Sequence, residues 1–259
     1  MATESDALAS AKTTLAHAAS LISQVEAQCQ ELTSASAFQR ISEASELTGE
    51  SITYLTLVKP YPPSLSNLAA DAFQNLRNTL DQVAWAAAQR SGKTGKKTYF
   101  PFGDTAQAAQ ACLNNGSSDV SANIFNVMIS FRPYRGGNDL LWSLNQIANA
   151  NKHRLTCPAL VKSGSLAVMG PGKVFGPARL GSREGWDFAK NRLELYRVGK
   201  GGSVNVEVEP QIYVTLAVPS LSEVVTSKMR IEDVLKSLMG IVTDVLSSVE
   251  TEGKASGLF

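Results

Sequence analysis

Between Leu65 and Arg90 the apolar residues Leu65, Leu68, Ala69, Ala72, Phe73, Leu76, Leu80, Val83 and Ala87 return every three or four positions. That is the period of one helix face, and it predicts an amphipathic α-helix. Arg77 and Asp81, four apart, border this stripe on one side, and Asn75 and Gln82 border it on the other. Two further stripes have the same period. Leu8, Ala11, Leu15, Ala18, Leu21, Ile22, Val25, Cys29 and Leu32 predict a helix over residues 5–32. Ile231, Val234, Leu235, Leu238, Ile241, Val242, Val245, Leu246 and Val249 predict one near the C-terminus.

The segments between these stripes read differently. Residues 37–47 have a weak helical tendency, and Ser51 to Lys59 is a strand by its β-branched and aromatic content. Pro60-Tyr61-Pro62-Pro63 ends that strand, and Ser64 is a candidate N-cap for the central helix. Two short helices are expected at 104–114 and 119–130, split by the loop residues Asn114-Asn115-Gly116. Pro133 stops the second, and Asn138 caps a helix whose inner face is Leu140, Leu141, Leu144, Ile147 and Ala148. Its continued period puts Asn151 on that face, where a buried amide requires hydrogen-bond partners. From Leu155 short β-type runs take over. Gly170-Pro171-Gly172 reads as a turn, and Lys200 to Ser203 as a hairpin turn. Val204, Val206 and Val208 alternate with Asn205, Glu207 and Glu209, as in a sheet with one wet face.

The predicted fold class is α+β and predominantly α, a helical bundle with a β-rich insertion before the C-terminal helix. We expect a single domain over 1–259: a helical part at 1–154 with one strand near 51–59, a β-rich insertion at 155–220, and a helix at 221–252 that returns to the bundle.

Composition narrows the function classes. With 24 basic and 23 acidic residues the chain has no global field for nucleic acid or anionic membrane, so any such binding needs a local patch. Cys29, Cys112 and Cys157 have neither disulfide nor metal-ligand spacing, which fits a reducing compartment. There is no apolar run of the ~20 residues a membrane helix needs and no secretory signal, so the expected location is the cytoplasm. No cofactor or metal is called for. His17, beside the first stripe, reads as a surface histidine.

Two features invite chemistry and one is set aside. Gly92-Lys93-Thr94 lacks the phosphate-loop glycine, since position 87 is Ala87, and it follows a helix where the motif must follow a strand. A solvated basic loop is the expectation there. The polar clusters around Arg77 and at Asn151-Lys152-His153-Arg154 are the candidates. Their bland readings are an i, i+4 ion pair at a helix edge and a cationic helix C-terminus. Metal catalysis ranks below both, because no carboxylate and histidine share a helix face at i, i+4.

The segments QNLRNTLDQV, Phe100-Pro101, Phe131-Arg132-Pro133-Tyr134 and Ile147 to Arg154 resemble, in order, motifs of an uncharacterised group of bacterial and phage-borne proteins. Those motifs are roughly HNLRSALDHL, an FP dipeptide, an LQPY-like segment and LNNxDKHR. The resemblance covers residues 65–155 and implies no assigned reaction. A more distant similarity is to HEPN-type ribonucleases, helical bundles carrying Arg, four residues, then His on a helix. Here that register holds Arg77 and Gln82, and an amide cannot act as a general base.

Two functional expectations follow. In one, the chain is a non-catalytic binding or interaction protein whose polar clusters form a structural network, with a protein partner or a second copy of itself. In the other, it holds RNA or a nucleotide phosphate at a degenerate ribonuclease-like site. Arg77, Gln82, Asn151, Lys152 and Arg154 would then bind ligand, and His153 would act as acid or base oriented by Asp81.

Overall fold

A computed structural model describes residues 6–153, 159–181, 185–187, 189–216 and 229–259, with the side chains of 151–171 outside that description. The fold is α+β and mainly helical, with sheet ahead of the last helix. The chain divides into two compact units. One gathers residues 1–26, 64–158 and 216–259, and the other residues 27–63 and 159–215.

The first unit is helical. Among its described residues are the long helices α1 (Ala9–Thr33, whose last turns belong to the second unit), α2 (Pro63–Arg90) and α5 (Asp139–His153). Two shorter ones, α3 (Ala106–Ala111) and α4 (Ala122–Ser130), and the C-terminal α6 (Ile231–Ala255) complete the set. Helix α2 starts at Pro63, whose fixed φ and missing N–H suit a first-turn position, so Ser64 lies inside the helix and is not its N-cap. Asn138 does cap α5, accepting from Leu141 N–H at 3.0 Å. Thr105 and Ser121 cap α3 and α4 in the same way.

The predicted stripes are the core. Leu65, Ala69, Ala72, Phe73, Leu76, Leu80, Val83 and Ala87 of α2 are buried. So are Ala84, Ala86 and Ala88, which extends burial well past one face. Helix α6 buries Val234, Leu235, Leu238, Val242, Val245, Leu246 and Val249 and packs on α4 and α5. Two ion pairs run it antiparallel to α1: Lys12 with Glu250 at one end, and Lys236 with Glu26 at the other.

The second unit is built from strands. Its larger sheet has the order β1 (Phe38–Ala44), β2 (Ser51–Leu57), β6 (Arg192–Val198), β4 (Ala178–Leu180), with β5 (Trp186–Asp187) also on β6. These pairings are antiparallel, and a register shift interrupts β2 between Thr53 and Tyr54. A second sheet pairs β3 (Ala159–Phe175) with β7 (Ser203–Leu216).

Four sequence expectations change here. Residues 38–44 form a strand paired with β2, because cross-strand partners outweigh a weak helical tendency. The strand expected near 51–59 within the helical part belongs to the second unit, with the β-rich section. The turn at 200–203 joins β6 to β7, yet these two strands belong to different sheets, so it is not a hairpin. Gly170-Pro171-Gly172 falls within the span of β3, where a turn was expected.

Candidate functional site

Arg77 leaves the α2 stripe toward α5. Its guanidinium Nη1 pairs with Asp81 Oδ1 one turn on, and its Nε donates to Asn145 Oδ1 of α5 at 3.1 Å. The guanidinium also lies 4.5 Å from the ring centroid of Phe102, a cation–π arrangement. The residue is only 8% exposed. Asp81 Oδ1 accepts a second bond, from Phe100 N–H at 2.9 Å, which ties the Phe100-Pro101-Phe102 segment to the helix. Phe100 is buried and its ring stacks against Phe102 at 5.0 Å. Close by in sequence, Gly103 bridges Tyr134, and a side chain at Gly103 would run into the Ala109 backbone at 2.3 Å.

Gln82 faces elsewhere. Its Oε1 accepts from Thr14 Oγ1 at 2.9 Å and from Ser10 Oγ at 3.3 Å, both on α1. Arg77 and Asp81 therefore come together with Asn145, while Gln82 joins α2 to α1 one turn away. Asn151, Lys152 and His153 end α5, but their side chains lie outside the described residues, as does the whole of Arg154. His17 is exposed on α1, as expected.

Asn145 went unremarked in the sequence, although its position four residues after Leu141 continues the inner face of α5. A neighbouring network was also missed. Trp142 Nε1 donates to Asp104 Oδ1 at 3.1 Å, and Arg135 lies 5.8 Å from the centroid of the Trp142 ring.

On the solvent side of Asp81 and Gln82 opens a cleft of about 340 Å³. Asp81, Gln82 and Thr98 give it polar lining, Trp85 and Tyr99 give it aromatic lining, and Lys96 adds a cation. The loop that supplies Lys96, Thr98 and Tyr99 is the one expected to be a solvated basic loop. Lys93, Lys96 and Lys97 are indeed exposed, but Gly95 and Thr98 are buried. Gln89 of α2 donates to the carbonyls of Lys93 (3.1 Å) and Thr94 (2.7 Å). Gly95 N–H donates to Asp119 at 3.1 Å, and Ser117 Oγ donates to the Tyr99 carbonyl at 2.7 Å. Gly95 lies in the left-handed region at φ +64°, and an added Cβ would meet the Trp85 ring at 2.8 Å.

Among the described residues no group of three histidine, cysteine or carboxylate side chains is placed to hold a metal, and no helix is long and apolar enough to cross a membrane. The chain matches no protein-family model, no curated protein and no solved structure.

Proposed function

We propose that this chain is a non-catalytic binding protein in which the Arg77–Asp81–Asn145 network fixes the register of α2 against α5. The observation that supports this most is the burial of the Arg77 guanidinium among partners within the fold. It has a carboxylate, an amide oxygen and an aromatic face as partners, and 8% exposure. A phosphate-binding arginine needs donors turned toward solvent, and this guanidinium is buried against Asp81, Asn145 and Phe102. Gln82, at the position where the ribonuclease pattern has its histidine, has its carbonyl oxygen occupied by two hydroxyls of α1. These contacts favour a structural polar network over the degenerate ribonuclease reading. A cytoplasmic location belongs to the same proposal, supported by cysteine spacing without disulfide character.

The test is Arg77→Ala. Removing Arg77 leaves the half-buried Asp81 without its cation and Asn145 without its donor, and the expected loss is about 1–3 kcal/mol of unfolding free energy. The measurement is a urea melt together with the oligomeric state by light scattering. A variant with wild-type stability and wild-type oligomeric state would overturn the structural reading. RNA cleavage by the wild type that disappears in His153→Ala would restore the ribonuclease alternative.

A further inference from the structure

The cleft beside Asp81 has unused bonding capacity. Thr98 is 5% exposed, yet its Oγ1 has no hydrogen-bond partner among the described residues. A buried hydroxyl without a partner is uncommon in folded proteins and points to a group that arrives from outside. Among the described residues the contacts of Asp81 are made through Oδ1, which leaves Oδ2 as an acceptor. Gln82 uses only Oε1, so its Nε2 is a donor still available. The lining therefore offers an acceptor, a donor and a hydroxyl within one cleft.

The aromatic residues set the shape of what fits. Trp85 is 48% exposed and Tyr99 54% exposed, although both line the cleft and α2 is otherwise buried around Trp85. Exposed aromatic rings lining a polar cleft suit a flat ring that can stack on them. The wall is also fixed in advance: Gly95 sits against the edge of the Trp85 indole, and Gln89, Asp119 and Ser117 hold the loop by hydrogen bonds. Preorganisation of this kind lowers the ordering cost of binding.

Charge decides between a neutral sugar and an anionic ring compound. Lys96 lines the cleft, and Lys93 and Lys97 are exposed in the same loop. In a chain with net charge +1 this is the sort of local cationic patch that anion binding requires.

We infer that this cleft binds a nucleotide, with the base stacked on Trp85 and Tyr99, its edge read by Asp81, Gln82 and Thr98, and its phosphate held by Lys96. The inference rests on the reading of the chain as a non-catalytic binding protein, and gives that protein its ligand class. The shared chemistry could come from a free nucleotide or from one nucleotide of a single-stranded RNA.

The experiment uses the full chain and two kinds of probe, the four nucleoside monophosphates, each with its parent nucleoside as a control, and a short single-stranded RNA of mixed sequence. Binding is followed by calorimetry, and by the ligand-induced change in tryptophan fluorescence that is lost in Trp85→Ala, Trp142 and Trp186 being buried at 7% and 6% exposure and out of a ligand's reach. Saturable binding is expected. It should weaken about 5- to 100-fold in Trp85→Ala, the range a lost base–aromatic stack gives. Lys96→Ala should weaken the monophosphate while leaving the matching nucleoside unchanged. RNA binding much tighter than the monophosphate identifies RNA as the source, and equal affinity identifies the free nucleotide. Failure of both probes to bind, or binding that Trp85→Ala and Lys96→Ala leave intact while their melts match wild type, overturns the inference. Neither outcome bears on the Arg77 network, whose failure would be seen separately in the Arg77→Ala melt.

Discussion

At the scale of single residues, the cleft makes a claim about stability that can be checked without any ligand. A buried hydroxyl with no partner costs about 1–3 kcal/mol, and Thr98 bears such a hydroxyl. Thr98→Val keeps the shape and removes the polar atom, so it should melt at or above the wild-type temperature while weakening nucleotide binding. A clear fall in melting temperature would mean that the hydroxyl has a partner within the fold. Gly95→Ala should go the other way. Its φ of +64° is strained for any residue with a Cβ, at about 1–2 kcal/mol, and the new methyl would press on Trp85. Lower stability, together with greater iodide quenching of tryptophan as Trp85 is pushed off the loop, is the expected result. Sequence reasoning placed Arg77 and Asp81 on one border of α2 and expected partners for an amide on α5. The amide expected there is Asn151, whose side chain lies outside the described residues, and an amide that meets Arg77 is Asn145. Trp85 was passed over because its position lies off the apolar stripe. That is itself the available signal, since a tryptophan off a helix's core face has no part in that core and must meet something else.

Among elements, the helices were legible and the sheets only partly so. A helix carries its evidence locally, in one continuous period, and α2, α5 and α6 fall where their stripes put them. A strand depends on partners far along the chain. The weakly patterned β1 is a strand because β2 lies beside it, and β2 itself pairs with β6 some 140 positions later, as in Ser51 with Val198. The turn at 200–203 has hairpin chemistry, but no local pattern reveals that its two strands join different sheets. The β6 strand also carries a charge device with a pH signature. Burial pushes the Glu194 carboxyl up, but hydrogen bonds from Arg197 and Arg179 outweigh it and hold the group below its ordinary range. Arg179 donates at 2.8 Å across the β4–β6 pair, and Arg197 donates from β6 itself. A carboxylate depressed in the folded state adds stability that is full above its unfolded pKa of about 4.3 and is lost as pH falls through the folded value. Glu194→Gln should therefore be less stable than wild type at neutral pH, and the gap should close on acidification below about 4.3. A gap that persists unchanged in acid would show that the carboxylate's charge is not the source.

For the whole molecule, the order of segments makes the last helix decisive. The first unit draws on three stretches of chain, and its final one supplies α6, which packs on α4 and α5. Seven aliphatic side chains of α6, from Val234 to Val249, are buried. At about 1.5–3 kcal/mol for each fully buried side chain, they contribute on the order of 10–20 kcal/mol of apolar burial, before the entropy of ordering the helix offsets part of it. That is as large as the whole net stability of an ordinary domain, roughly 5–15 kcal/mol. The charges agree with the helix's direction: Glu232 and Asp233 sit in its first turn and Lys254 in its last, each suited to the macrodipole. Without α6, the sides of α4 and α5 that it covers would be left open to water. A chain truncated before residue 229 should therefore lose the packed state of its first unit. The expected signs are binding of a hydrophobic dye, loss of the near-ultraviolet circular dichroism of the buried Trp142, and loss of nucleotide binding at Trp85, which α2 can present only when it is packed. A truncated chain that melted cooperatively at the wild-type temperature without binding dye would show that the helices before α6 form a closed core of their own.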